Sequence, residues 1–349
     1  MDDVTIYKNI YLLLVSFSIL IAFHILPNSQ NRLVFKHLNG LTIFTVLFVT
    51  FLIGTVPVFG EGDRTNYQEG FLNAKNVSLE TVVQERLFFL YYKFCSFFMD
   101  YQTWFVLTAF IYTFNYYYFS KKVTANYFIL FLGLITNFIF FSYGTNTIRA
   151  GLACSILLLA LSKIENRILF YALLISAVGF HNSMLLPVAA ILISKQFNAT
   201  RYYYYFWLIC VPLSLILGGQ IQLFMSGLVE EKRLVEYLAA EETFYNVGFR
   251  IDFLIYSFIP IAVGYYYIYK KRYKDRFYAI VYNTYVLCNA FWILVIRANF
   301  SDRFAYLSWF LYMVVLLYPL LHKPLFAFQS RIIALILILN ALFTFYMLR

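Results

Sequence analysis

Four short polar groups interrupt a mostly apolar chain, and each holds residue types able to bind an anion or move a proton. The first runs from Gly60 to Tyr67, where glycines flank Glu61 and precede Asp63 and Arg64. Such a tight loop can present a carboxylate and a guanidinium together, or it can be an ordinary polar turn. The second is Asn146-Thr147-Ile148-Arg149-Ala150-Gly151-Leu152-Ala153. Asn146, Arg149, Ala150 and Ala153 follow i, i+3, i+4, i+7 spacing and share one small, polar helix face. The planar fork of Arg149 matches phosphate oxygens in pairs; the alternative is an arginine snorkelling to the interface. The third is the turn Phe180-His181-Asn182-Ser183, whose imidazole can act as a base or as a donor to developing charge. A solvated histidine is the plain alternative. The fourth is Arg297 to Tyr306, with Arg297, Asp302 and Arg303 on one turn, where Asp302 can also simply pair with an arginine. Arginines with carboxylates and one histidine suit an anionic lipid headgroup. A diphosphate leaving group needs positive charge, and an acceptor hydroxyl needs a base.

The elements that carry these groups must lie in a membrane. Of 349 residues, 62% are hydrophobic and only 13% charged, against roughly 25% charged in soluble domains. That excludes a soluble enzyme, a disordered chain and a secreted disulfide module. Apolar runs fall at 10–26, 40–58, 101–119, 123–143, 147–163, 167–180, 182–195, 202–218, 251–269, 277–297, 303–320 and 331–348, with a short one at 87–99. A crossing helix needs about 20 residues, and no barrel-like alternation is present. The expected fold is all-α and polytopic: about twelve transmembrane helices in a single domain over 1–349, plus a short re-entrant or interfacial helix at 87–99. Polar loops occupy 59–86 and 219–250, the second with an amphipathic stretch from Leu228 to Ala240. Cys95, Cys154, Cys210 and Cys288 sit singly in apolar runs and read as buried hydrophobes. Neither they nor the four scattered histidines have metal-ligand spacing, so no metal or cofactor is expected. The acidic start, Met1-Asp2-Asp3, does not look like a cleavable signal.

Lysine and arginine in short loops set orientation. If 87–99 dips in without crossing, all six basic clusters (Arg32/Lys36, Lys121/Lys122, Lys163/Arg167, Lys195/Arg201, Lys270 to Arg276, Lys323/Arg331) share the cytoplasmic side, with both termini outside. The formal charge of +10 then splits into about +13 inside and about −3 outside. It is a topology signal and not a nucleic-acid footprint. All four polar groups face out.

At these residues the chain resembles the EpsG-like family of bacterial exopolysaccharide, capsule and O-antigen polymerases, of the Wzy class. The shared elements are Gly62, Asp63 and Tyr67 in a Gly-Asp-x-x-x-Tyr segment; Asn146 to Ala153; the Phe-His-x-Ser turn at Phe180 to Ser183; and an Arg-Phe-x-Tyr element at Arg303 to Tyr306. Ala150 stands where the family usually has glutamine, and Thr55 to Val58 stand where an arginine is usual.

The resemblance implies a metal-independent glycosyltransferase of the multi-helix lipid-phosphosugar type in the bacterial cytoplasmic (inner) membrane. Its substrate is undecaprenyl-diphosphate-linked oligosaccharide, used at the periplasmic face, with a flippase and a chain-length regulator as further partners. On that reading Arg149 and Arg303 hold the leaving diphosphate, with Arg297 in support. His181 or Asp63 takes the acceptor proton, the choice left open. Tyr67, Asn146, Arg64, Asp302 and Tyr306 are substrate contacts. The other readings are a flippase or transporter of lipid-linked oligosaccharide and a membrane acyltransferase acting on extracellular polysaccharide.

Overall fold

Lipid offers no partner to a free N–H or C=O, so a chain this apolar has to close its backbone bonds within each segment. A computed structural model describes residues 3–25, 34–58, 62–82, 84–227, 249–298 and 301–349; among them there is helix and no strand. In chain order the helices are α1 (Asp3–Ile25), α2 (Val34–Gly54), α3 (Arg64–Asn73), α4 (Arg86–Ser96), α5 (Tyr101–Val123), α6 (Tyr127–Ile135), α7 (Phe138–Thr145), α8 (Ile148–Ser162) and α9 (Arg167–Phe180). They continue with α10 (Leu185–Gln196), α11 (Thr200–Gly227), α12 (Ile251–Tyr265), α13 (Arg276–Leu294), α14 (Ser301–Trp309), α15 (Tyr312–His322) and α16 (Gln329–Leu348). Short polar side chains between apolar runs start several of them. Asp100 accepts from the Thr103 N–H at 2.7 Å, Asn166 from Leu169 at 3.2 Å and Asp275 from Tyr278 at 2.7 Å, each satisfying an otherwise unpartnered first-turn donor.

The chain folds into two compact units, residues 1–185 with 320–349, and residues 186–319. In the first, α5 packs against α2 and α8, α8 against α9, and α1 against α16. In the second, α13 packs against α11, α12 and α14, and its own length is mostly buried. All four cysteines are buried free thiols.

Helix occupies every expected span, but one span is sharply bent. The run expected as one element over 123–143 is two helices, α6 and α7, bent by 64°. Asn137 causes the break: its Oδ1 accepts from the Ile139 N–H at 3.0 Å, so it starts a new helix. The carbonyls released at the break are then satisfied by neighbours. Tyr11 donates to the Ile135 and Asn137 carbonyls at 2.7 and 3.0 Å, and Thr344 to the Thr136 carbonyl at 2.8 Å. Asn340 accepts from Asn137 at 2.9 Å and donates to the Thr136 hydroxyl at 3.2 Å.

Six helical stretches among the described residues are long and apolar enough to cross a bilayer, and the α6–α7 pair makes a seventh if counted as one span. Length and apolarity thus carry six or seven of the twelve expected crossings. The 15 residues of α8 and the 14 of α9 reach only about 22 Å at ~1.5 Å per residue, short of ~30 Å of hydrocarbon. Helix α4, with 11 residues, is shorter still, as expected for an element that dips in or lies at the interface. Gly60, Glu61, Arg32 and the stretch from Leu228 to Ala240 lie outside the described residues.

Candidate functional site

Two short helices build the floor of the site. Arg64, Tyr67 and Phe71 are the buried residues of α3, and Phe88, Tyr92 and Cys95 lead those of α4. Both sets follow three- and four-residue spacing, which puts each on one helix face. These faces meet over Trp104, which is fully buried, and its ring lies 5.5 Å from Phe71 and 4.9 Å from Tyr92. The cluster, with Phe105 and Ile148, fixes the entries of α3 and α4 beside the α7–α8 junction.

That junction and α3 cap each other. The Asp63 N–H donates to Asn146 Oδ1 at 3.0 Å, and the Arg149 N–H donates to the Tyr67 hydroxyl at 3.3 Å. Two glycines allow the close fit. Gly62 has φ +42°, and a Cβ there would lie 1.9 Å from Asn146 Oδ1. A Cβ on Gly151 would lie 2.6 Å from the Tyr143 carbonyl oxygen, so α8 rests directly on α7. Gly62→Ala is therefore expected to cost about 1–3 kcal/mol, the range for a side chain held in a sparsely populated backbone region. The same change made in an Asn146→Ala background should cost clearly less, because the colliding oxygen is gone. Equal costs in both backgrounds, read from thermal unfolding in detergent, would refute the steric account.

Glu85 completes the arrangement, and nothing in its sequence surroundings marks it out. It precedes α4 with φ 53° and ψ 41°, a left-handed conformation, and its side chain does not cap that helix. Instead the carboxylate bridges two other elements. Oε2 accepts from Arg149 Nη1 at 2.5 Å, near the start of α8. Oε1 pairs with Nδ1 of His181, the residue that ends α9, and the Asn182 N–H also points at it. Burial by itself would raise the Glu85 carboxyl. The His181 hydrogen bond and the charges of His181 and Arg149 outweigh it and hold the group below its ordinary value. Burial pushes the Tyr67 phenol up, only partly offset by Arg149. The Arg149 side chain stays 33% exposed and that of His181 26%, against 12% for Glu85, so the pair is open to a ligand above a more deeply set acid. Arg149 Nε and the hydroxyls of Thr147 and Ser183 are buried without hydrogen-bond partners.

The first unit thus brings together Asp63, Tyr67, Asn146, Arg149 and His181, members of three of the four polar groups. Arg64 is placed differently from the expected substrate contact. It is 1% exposed, donates to the Ile53 and Gly54 carbonyls at 3.3 and 3.1 Å, and lies 4.0 Å over the Phe105 ring. It closes the C-terminus of α2, where unpaired carbonyls attract a cation. The fourth group belongs to the second unit. There Arg297 reaches the Leu215 carbonyl at 3.5 Å. Asp302 and Arg303 are half-buried at the start of α14, and Asp302 lies in the field of Arg303 and Arg250. Tyr306 is buried 5.7 Å from Trp309. Arg250 forms a salt bridge with Asp252, through two hydrogen bonds at 3.0 and 2.7 Å.

No curated protein and no solved structure matches the chain. A sequence model of the EpsG family does, over residues 40–349. That span holds all four polar groups and Glu85, and covering most of the molecule it shows that the chain belongs to the EpsG family.

Proposed function

We propose that the protein is an oligosaccharide repeat-unit polymerase acting on undecaprenyl-diphosphate-linked glycan. The observation that supports this most is the Arg149–Glu85–His181 constellation, with Asp63, Asn146 and Tyr67 at its edge. A partly exposed guanidinium and imidazole, held by one carboxylate, are the groups a glycosyl transfer from a lipid diphosphate calls for. In the reaction a hydroxyl oxygen of the incoming lipid-linked repeat forms a bond to the anomeric carbon of the growing glycan. The bond from that carbon to the diphosphate breaks, and undecaprenyl diphosphate leaves with the electron pair. Arg149 neutralises the charge developing on the departing oxygen, a stabilisation that counts most where water is scarce. The acceptor proton passes to His181 or Asp63. Asn146 and Tyr67 position sugar or phosphate. Of the second unit taken by itself, Arg303, with Arg297 in support, is proposed as a diphosphate contact.

The proposal includes the orientation read from the basic loops: twelve crossings of the bacterial cytoplasmic membrane, both termini outside, and the site on the outer face. A flippase would then deliver the substrate, and a chain-length regulator would act on the product. The test is the purified protein in liposomes given only lipid-linked repeat extracted from the source cells. Longer chains are the expected product. Unchanged substrate would turn the reading towards a flippase or an acyltransferase. Alanine variants of His181 and Arg303, made at equal membrane levels, should both shorten the polymer ladder. Normal ladders from both would discard those two assignments.

A further inference from the structure

The site contains one acid, Glu85, to which the functional reading gives no role. Its surroundings are unusual for a surface carboxylate. The backbone adopts a left-handed conformation at a non-glycine residue. The side chain does not cap the helix that follows it. Both oxygens point to groups 64 and 96 residues away in the chain. The neighbouring Arg86 turns back to the Val82 carbonyl at 2.9 Å and takes no part.

We propose that Glu85 is the positioning residue that makes His181, and not Asp63, the base of the transfer: it holds the imidazole by Nδ1 and leaves Nε2 free to take the acceptor proton. An ionised carboxylate only accepts hydrogen bonds, so in the His181–Glu85 pair the imidazole Nδ1–H is the donor. A neutral imidazole with its hydrogen on Nδ1 carries its lone pair on Nε2. The proton from the acceptor hydroxyl then ends on Nε2, and the imidazolium so formed is stabilised by the carboxylate across the ring. The depressed acidity constant of Glu85 agrees with an ionised acceptor. The other groups facing this pair are Arg149 from α8, which shares the carboxylate, and Tyr67 and Asp63 from α3, which lie near Arg149. The Tyr91 ring of α4 lies tilted against the adjoining Phe180, 6.1 Å between centroids. Asp63 is the weaker base candidate, because its carboxylate makes no capping bond to its own helix; its fixed groups are those of the backbone, the N–H to Asn146 Oδ1 and the carbonyl to the Tyr67 N–H.

This inference rests on the polymerase reading, and its test separates the two. Glu85→Gln keeps an acceptor oxygen for Nδ1–H but removes the charge, so the imidazolium formed in the transfer loses its partner. In the liposome assay kcat should fall about tenfold or more, with KM for the lipid-linked repeat changing less than about threefold, and Glu85→Asp should restore part of the loss. A carboxylate acting only to hold the fold or Arg149 would lower the unfolding midpoint in step with kcat, or raise KM with kcat little changed, and either result overturns the proposal while the polymerase reading stands. No chain growth by the unaltered protein overturns the polymerase reading itself. Nitrogen-15 imidazole NMR of the unaltered full chain in nanodiscs gives a readout independent of activity and of the variant's folding. A neutral His181 with hydrogen on Nδ1 supports the proposal; hydrogen on Nε2 overturns it.

Discussion

Replacing Arg149 by alanine is expected to lower chain growth by about 10²- to 10³-fold, the loss seen when one preorganised stabiliser of developing charge is removed. The fold should survive, because two contacts that fix the start of α8 do not use this side chain. The backbone N–H of residue 149 still meets the Tyr67 hydroxyl, and Asn146 still accepts from Asp63. Glu85 keeps His181 and the Asn182 N–H as partners. Arg149→Lys separates charge from shape. Lysine brings the charge without the planar fork, and here one nitrogen of that fork meets Glu85 while Nε is left buried and unpartnered. Lysine should therefore recover only a minor part of the loss, about tenfold. The measurement is the rate of chain growth in liposomes at matched protein amounts, with the thermal unfolding midpoint recorded alongside. Near-normal growth by the alanine variant would remove Arg149 from the chemistry.

Arg64→Ala should do the reverse, acting on stability far more than on the reaction. Its guanidinium is buried, donates to the last carbonyls of α2 and covers the Phe105 ring. Truncation leaves two carbonyls short of a donor and opens a gap in an aromatic core. We expect a loss of about 2–4 kcal/mol, from the cost of unsatisfied buried groups and of large-to-small core changes. The unfolding midpoint in detergent should drop by roughly 5 °C or more. Turnover per folded molecule should change by less than about threefold, since these partners of the side chain lie at the end of α2 and on α5. An unchanged midpoint with lost turnover would return Arg64 to the substrate contacts.

These two arginines show where sequence reading succeeds and where it stops. Arg149 was legible because spacing and neighbours told enough: a basic residue beside alanines and a glycine, at the mouth of an apolar run, is set where an anion can come close. Arg64 was misleading. One residue from Asp63 in a polar loop, it looks exposed, and only the packing of α3 on α5 shows that its face turns inward. Glu85 left no signal of its own kind. Its partners lie in other helices, so no local pattern links an acid at the end of a polar loop with an arginine and a histidine so far along the chain. The break at Asn137 was hidden for a related reason. A single polar residue in a long apolar run ends a helix only if the freed carbonyls find donors, and those come from Tyr11 and Thr344.

The sequence by itself determined the medium, the helical class and the polar groups, including Asn146, Arg149 and His181, because burial in lipid and the need to close backbone bonds act on every residue locally. The division into two units, the inward turn of Arg64 and the bridging carboxylate were decided by tertiary structure alone. The last two depend on which helices of the first unit lie side by side, and the fit of Trp104, Gly62 and Gly151 against their neighbours enters there rather than the polarity of any one segment.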